Sequence, residues 1–181
     1  MDRVDHICQQ LRTYCAQNQI EITDENFQAV CKQALSQEDY EHCFLPDALS
    51  DQLDEWALRG EAWFDQEKYR AAIECYERGM ALVPEPRNRL EATLWFLAAI
   101  ADAYWCLREY PQALRCLEQS LEVVGGKTER FVQLRRGQVL FELGRGEEAG
   151  QVLRRALALG GAELFEGEHP KYLALAKSNH P

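Results

Sequence analysis

The stretch EKYRAAIECYERGMALVPEP, Glu67 to Pro86, sets Tyr69, Ala72, Tyr76 and Pro84 at spacings that return twice downstream. Ahead of it, Trp56, Gly60 and Trp63 fall on one helical face. In the second occurrence Leu97, Ala101 and Tyr104 are followed by Tyr110, Ala113 and Leu117. In the third, Gly137 and Leu140 are followed by Gly144, Ala149, Leu153 and Ala156. Aligned on the small residue, Ala72, Ala113 and Ala149 lie 41 and 36 residues apart. A repeat of that length marks stacked helical hairpins. One hairpin cannot bury its own apolar face, whereas a stack of three can. Small residues at Gly60, Ala72, Ala101, Ala113, Gly137 and Ala149 let paired helices approach, and Trp63, Tyr76, Tyr104 and Leu153 fill the space between them.

Working outward, residues 1–50 read as a helical extension. Val4, Ile7, Cys8, Leu11, Tyr14 and Cys15 form one amphipathic stripe, and Phe27, Val30, Cys31, Ala34 and Leu35 form a second. The break between them offers Thr23 or Asp24 as an N-cap. Pro46 disfavours helix at Leu45, and Ser50 is the expected cap of the helix that follows. Beyond residue 161, GGAELFEGEHPKYLALAKS supplies a capping element. Pro170 suits an early helical position, and Tyr172, Leu173 and Leu175 can cover the last hairpin. The expected division is therefore 1–50, then three repeats within 51–161 (about 53–86, 88–125 and 130–161), then a cap over 162–181.

The phrase WALRGEAWFDQEKYRAAIECYERGMALVP, Trp56 to Pro84, resembles the tetratricopeptide repeat, whose unit of about 34 residues carries Trp, Leu-Gly, Tyr, Ala, Phe, Ala and Pro at set offsets. Trp56, Gly60, Ala72, Tyr76 and Pro84 match, and Trp63 stands in the tyrosine slot. Gly79 departs, since the pattern has alanine there. The second copy has alanine for the glycine and Ser120 for the later alanine. It also follows an insertion of about seven residues, from which its first helix is expected to begin early, near Asn88. The third copy lacks the tryptophan and the closing proline. The resemblance covers Leu53 to Gly161 and implies an all-α, right-handed solenoid of helical hairpins, with an N-terminal helical extension and a C-terminal capping helix.

The composition narrows the functional classes. With 46% apolar and 28% charged residues the chain is globular, and no apolar run reaches bilayer length. A net charge of −10 argues against nucleic acid and against anionic membranes as partners. The charge is uneven: residues 1–50 hold nine acids against three bases. The charged start MDRVDHICQQ has no apolar signal core, so a cytoplasmic location is expected. Seven cysteines without a C-x-x-C pair read as reduced, mostly buried small hydrophobes.

Catalytic patterns are absent. His42 and Cys43 are adjacent, so on a helix they point apart. EVVGGK, Glu122 to Lys127, lacks the phosphate-loop pattern and reads as a helix-ending turn. ELFEGEHP gathers three carboxylates and His169, a set better suited to an acidic, solvated helix start than to a metal. The expectation is a non-enzyme with no cofactor and no metal.

In a repeat of this kind the other face of each first helix lines the inner groove. That face carries Asp54, Ala57, Glu61 and Phe64, then Trp95, Ala98, Asp102 and Trp105, then Phe131, Leu134, Gln138 and Phe141, with Arg135 alongside. The middle helix, LWFLAAIADAYWCL, is apolar nearly all round and must be covered on both sides. Two readings compete. The chain's own ends can fold over Trp95, Trp105, Phe131 and Phe141, or these rings can form an open stripe for a partner, with Glu61 and Asp102 meeting its bases. The expected binding set is Asp54, Glu61, Phe64, Trp95, Asp102, Trp105, Phe131, Arg135 and Phe141, and the expected partner is a basic, partly apolar protein. An unfilled apolar groove could also pair two copies as a homodimer.

The resemblance allows a closer comparison. Relatives that hold the acidic tails of heat-shock chaperones use lysine, asparagine and arginine on this groove. Here those positions hold Ala57, Glu61, Ala99 and Phe131, and Arg135 alone agrees, so Glu61 would repel such a tail. FEGEHPKYLAL, Phe165 to Leu175, is similar to the ends of small bacterial repeat proteins encoded beside secreted toxins, which act as immunity factors. Small acidic proteins with three such repeats and a helical extension also resemble type III translocator chaperones, which hold an extended segment of a secreted protein.

Overall fold

A computed structural model describes residues 3–21, 27–36, 45 and 47–178. Among them are nine α-helices and no strand. The chain divides into two compact units, Met1–Ser50 and Asp51–Pro181.

In the first unit, α1 (Arg3–Asn18) packs on α2 (Phe27–Ala34). Leu11 and Cys15 from one stripe meet Val30, Cys31 and Leu35 from the other, with Tyr14, Ile20 and Ala34 around them. The caps at Thr23 or Asp24, the break at Pro46, His42, Cys43 and the side chains of Val4, Ile7, Cys8 and Phe27 lie outside the described residues.

The second unit is a helical repeat solenoid. Its hairpins are α3 (Asp47–Phe64) with α4 (Tyr69–Leu82), α5 (Glu91–Cys106) with α6 (Tyr110–Ser120), and α7 (Arg130–Glu142) with α8 (Gly146–Gly160). A 3-10 turn (Ala162–Phe165) and α9 (Pro170–Lys177) follow. Helix α3 begins at Asp47, so Ser50 lies within its first turn and is not its cap. No helix among the described residues is long and apolar enough to cross a membrane.

The small-residue positions do what close packing demands. A Cβ on Gly60 would lie 2.1 Å from the Tyr76 ring, and one on Gly137 would lie 2.6 Å from the Leu153 side chain. Ala72, Ala101, Ala113 and Ala149 are fully buried. Gly79, the departure from the repeat pattern, has a local cause. The Phe96 ring of α5 presses on it, and a Cβ there would come within 2.4 Å of Phe96 Cζ. Ser120, the other departure, is buried and donates its hydroxyl to the Cys116 carbonyl at 3.0 Å, so no polar group is stranded.

Two expectations need correction. Trp63 does not fill the gap between helices. It is 37% exposed, with Lys68 Nζ over its ring at 4.6 Å. Tyr76, coming from the second helix, already occupies that gap against Gly60. Nor does α5 start at Asn88. The inserted residues form a 3-10 turn (Arg87–Arg89) and α5 begins at Glu91. The insertion is held as a connector: Arg87 Nε donates to the Val83 carbonyl at 3.0 Å, and the Val124 amide donates to the Asn88 carbonyl at 2.8 Å. That second bond ties the loop before α5 to the loop before α7.

Helix α5 packs against both α4 and α6, which covers its apolar surface on two sides. Where the third copy lacks the closing proline, Gly161 at φ +66° ends α8, a conformation in which side chains with a Cβ are strained. Of the described cysteines, Cys15, Cys31 and Cys75 are buried, Cys116 is half-buried and Cys106 is exposed.

Candidate functional site

The inner face of the solenoid behaves differently at its two ends. At the third hairpin it is covered by α9. Pro170 opens that helix, and the His169 side chain caps it, its Nδ1 accepting the Lys171 amide at 3.2 Å. Tyr172 is thereby held buried, 5.7 Å from the Phe141 ring and 6.3 Å from Trp105, both edge-on. Its hydroxyl donates to Glu142 Oε1 at 2.8 Å, and Lys171 Nζ donates to the same oxygen at 2.6 Å. The hydrogen bond from Lys171 holds the Glu142 carboxyl below its usual range. Removing the hydroxyl alone, in Tyr172→Phe, is expected to lower stability by about 0.5–1 kcal/mol in urea unfolding, since Glu142 keeps its lysine.

Arg135 sits where the covered and uncovered parts meet. It is 8% exposed, although it is charged. Its Nε lies 2.8 Å from Asp102 Oδ1, an ion pair too bent to count as a hydrogen bond, and Glu168 is 3.7 Å away. Its Nη1 donates to Gln138 Oε1 at 2.8 Å. The guanidinium lies 4.9 Å from the Trp105 ring centre and 5.3 Å from that of Phe131. Burial pushes the Asp102 carboxyl above its ordinary value, Arg135 pulls it back, and Glu168 adds to the rise.

Towards the first hairpin the face is open. Glu61, Phe64, Tyr76, Glu91, Trp95 and Asp102 line a concavity of about 400 Å³, together with Leu94, Ala98, Ala99, Glu129 and Phe131. Trp95 packs edge-on against Tyr76 at 5.7 Å and Phe96 at 5.1 Å, yet stays 39% exposed. On its other side a second concavity of about 440 Å³ runs along α3, lined by Leu53, Asp54, Ala57, Leu58 and Glu61 and by Ala92 and Phe96 of α5.

The expected binding residues thus part into two groups. Asp54, Glu61, Phe64, Trp95, Asp102 and Phe131 border the two concavities. Trp105 and Phe141 lie under Tyr172, and Arg135 is enclosed between rings and carboxylates. Tyr76, Glu91 and Glu129 line the opening without having been foreseen there. Glu91 stands one helical turn before Trp95, so period alone could have found it. Glu129 caps α7 by accepting the Phe131 amide, and a capping role gave no hint of the second position.

Partial burial of its sulfur and the Asp102 charge push the Cys106 thiol up, which disfavours the nucleophilic thiolate. His169 is engaged as a helix cap. Among the described residues no group of three or more His, Cys, Asp or Glu could hold a metal ion.

Stacked hairpins with a concave, carboxylate-rich aromatic face define the class: an all-α repeat scaffold for protein–protein interaction. Residues 98–163, from the middle of α5 to the 3-10 turn after α8, match the family model of the tetratricopeptide repeat. That stretch of the chain carries tetratricopeptide repeats. A search of curated proteins gives no match.

Proposed function

We propose that this protein is a non-catalytic adaptor that sequesters one basic, partly apolar protein through the open end of its groove. The observation that carries the reading is Trp95: a large ring held rigid by Tyr76 and Phe96, 39% exposed, and set among Glu61, Glu91 and Asp102. Rigid aromatic anchors with charges at the rim are the usual energetic centre of an interface. The acidic rim speeds capture of a basic partner and makes it salt-sensitive. An immunity-type role, in which the adaptor covers a basic toxin and blocks its action, accords with this chemistry and with the tail sequence.

A second reading, a secretion-type chaperone for an extended segment, draws on the two adjoining concavities on either side of Trp95. Such a trough suits a chain laid along α3 and α5. The two differ in their ligand. A chaperone groove accepts the isolated segment, whereas an inhibitor needs the folded domain.

The test is affinity capture from the native host with the wild-type chain, Trp95→Ala and Glu61→Lys. Trp95→Ala is expected to weaken capture of the identified partner at least about tenfold while the far-ultraviolet spectrum and melting profile stay native-like. Equal recovery by all three proteins would end the groove reading.

A further inference from the structure

The three hairpins can be superposed in register on their small residues Gly60, Ala101 and Gly137. One place later stand Glu61, Asp102 and Gln138, and four places later Phe64, Trp105 and Phe141. Six places earlier stand Asp54, Trp95 and Phe131, and two places earlier Leu58, Ala99 and Arg135. The third hairpin therefore reaches back to the second through Arg135. Its guanidinium meets the carboxylate of Asp102, stacks on Trp105 and Phe131, and donates to Gln138.

Shifted up by one hairpin, the same slot has every wall and lacks its occupant. Glu61 stands for Asp102, Phe64 for Trp105, Trp95 for Phe131 and Asp102 for Gln138. At the arginine position is Ala99. All five residues border the single concavity of about 400 Å³. Its described lining holds four carboxylates (Glu61, Glu91, Asp102 and Glu129) and neither lysine nor arginine.

We propose that this slot receives an arginine side chain from the partner, seated between the Phe64 and Trp95 rings against Glu61 as Arg135 is seated one hairpin below. The inference rests on the groove reading and narrows it. Two rings and a carboxylate favour the flat guanidinium, which stacks on aromatic faces and can present two donors to one carboxylate. An ammonium offers a strongly hydrated point charge instead. Asp102 already answers Arg135, so Glu61 and Glu91 supply the balancing charge.

N-acetyl-arginine methylamide, titrated into the full chain, tests the assignment through the indole N–H resonance of Trp95, identified with Trp95→Phe. The expected result is a saturable shift of that resonance, no shift with the uncharged citrulline isostere, and at least about fivefold weaker binding of the lysine analogue. Ala99→Arg fills the slot from within and should abolish the response. Glu61→Gln, at an exposed position outside the core, should weaken it at least about threefold, and it carries the test if Ala99→Arg does not fold. An unmoved Trp95 resonance, an equal response to citrulline or to the lysine analogue, or wild-type binding by Glu61→Gln would each overturn the arginine assignment. Partner capture that still depends on Trp95 in the face of such a result leaves the groove reading standing.

Discussion

Truncating Phe96 to alanine is expected to lower the unfolding free energy by about 3–5 kcal/mol, the cost of losing a large core ring and leaving a cavity. Phe96 is 2% exposed and bridges two hairpins: it stands on α5 and presses on Gly79 of α4. The complementary change, Gly79→Ala, adds a methyl group where the Phe96 ring already lies within 2.4 Å, and overpacking of that kind costs about 1–3 kcal/mol. The two effects are not independent. With Phe96 gone, the added methyl enters the space the ring has vacated. The double variant is therefore expected to be more stable than the sum of the single losses predicts, by about 1 kcal/mol or more. Equilibrium urea unfolding of the four proteins measures this directly, and simple additivity would show that Gly79 is not held small by Phe96.

Arg135→Ala is the second large effect. It leaves Asp102 without its cation in a site where both side chains are mostly enclosed, at 10% and 24% exposure. Breaking a buried pair from one side costs about 3–5 kcal/mol, and the lower end applies because Asp102 retains some contact with water. The pH dependence gives the sign. The Asp102 carboxyl is already raised by burial, so the folded chain binds its proton more tightly than the unfolded chain does. Its contribution is most favourable below the ordinary carboxylate value and worsens as pH climbs through the raised folded value. Without Arg135 that value rises further. The deficit of Arg135→Ala should thus be largest at about pH 7 and shrink on acidification towards about pH 4, and Asp102→Asn in the same background should remove most of it. Urea unfolding across that range checks both points. A deficit that stays constant with pH would mean that Arg135 acts by packing alone.

The fold was legible because close packing leaves a plain signature. Gly60, Gly137 and the four buried alanines recur at hairpin spacing, and the two glycines face Tyr76 and Leu153. Trp63 misled because a tryptophan in the tyrosine slot says nothing of which neighbour has already taken the gap, and Tyr76 had. The insertion before α5 misled for a related reason. Its composition permits a helix, but the backbone bond from Val124 to Asn88 binds it to a loop more than thirty residues away, a contact without local trace. On the inner face, helical period set the rings along one side of the first helices. What it could not assign was how far the tail would reach. That depended on Tyr172 finding Glu142, Phe141 and Trp105 together, a meeting of three helices separated widely along the chain.

Helix α9 lies on the surface that another hairpin would use to stack, with Tyr172 and Ala176 sealed against Leu134, Leu153 and Ala156. A duplication placed after residue 161 would have to evict it and break the Glu142 contacts, whereas a copy inserted between existing hairpins would meet matching surfaces on both sides. Lengthening of this array should therefore be tolerated from within and resisted at that boundary.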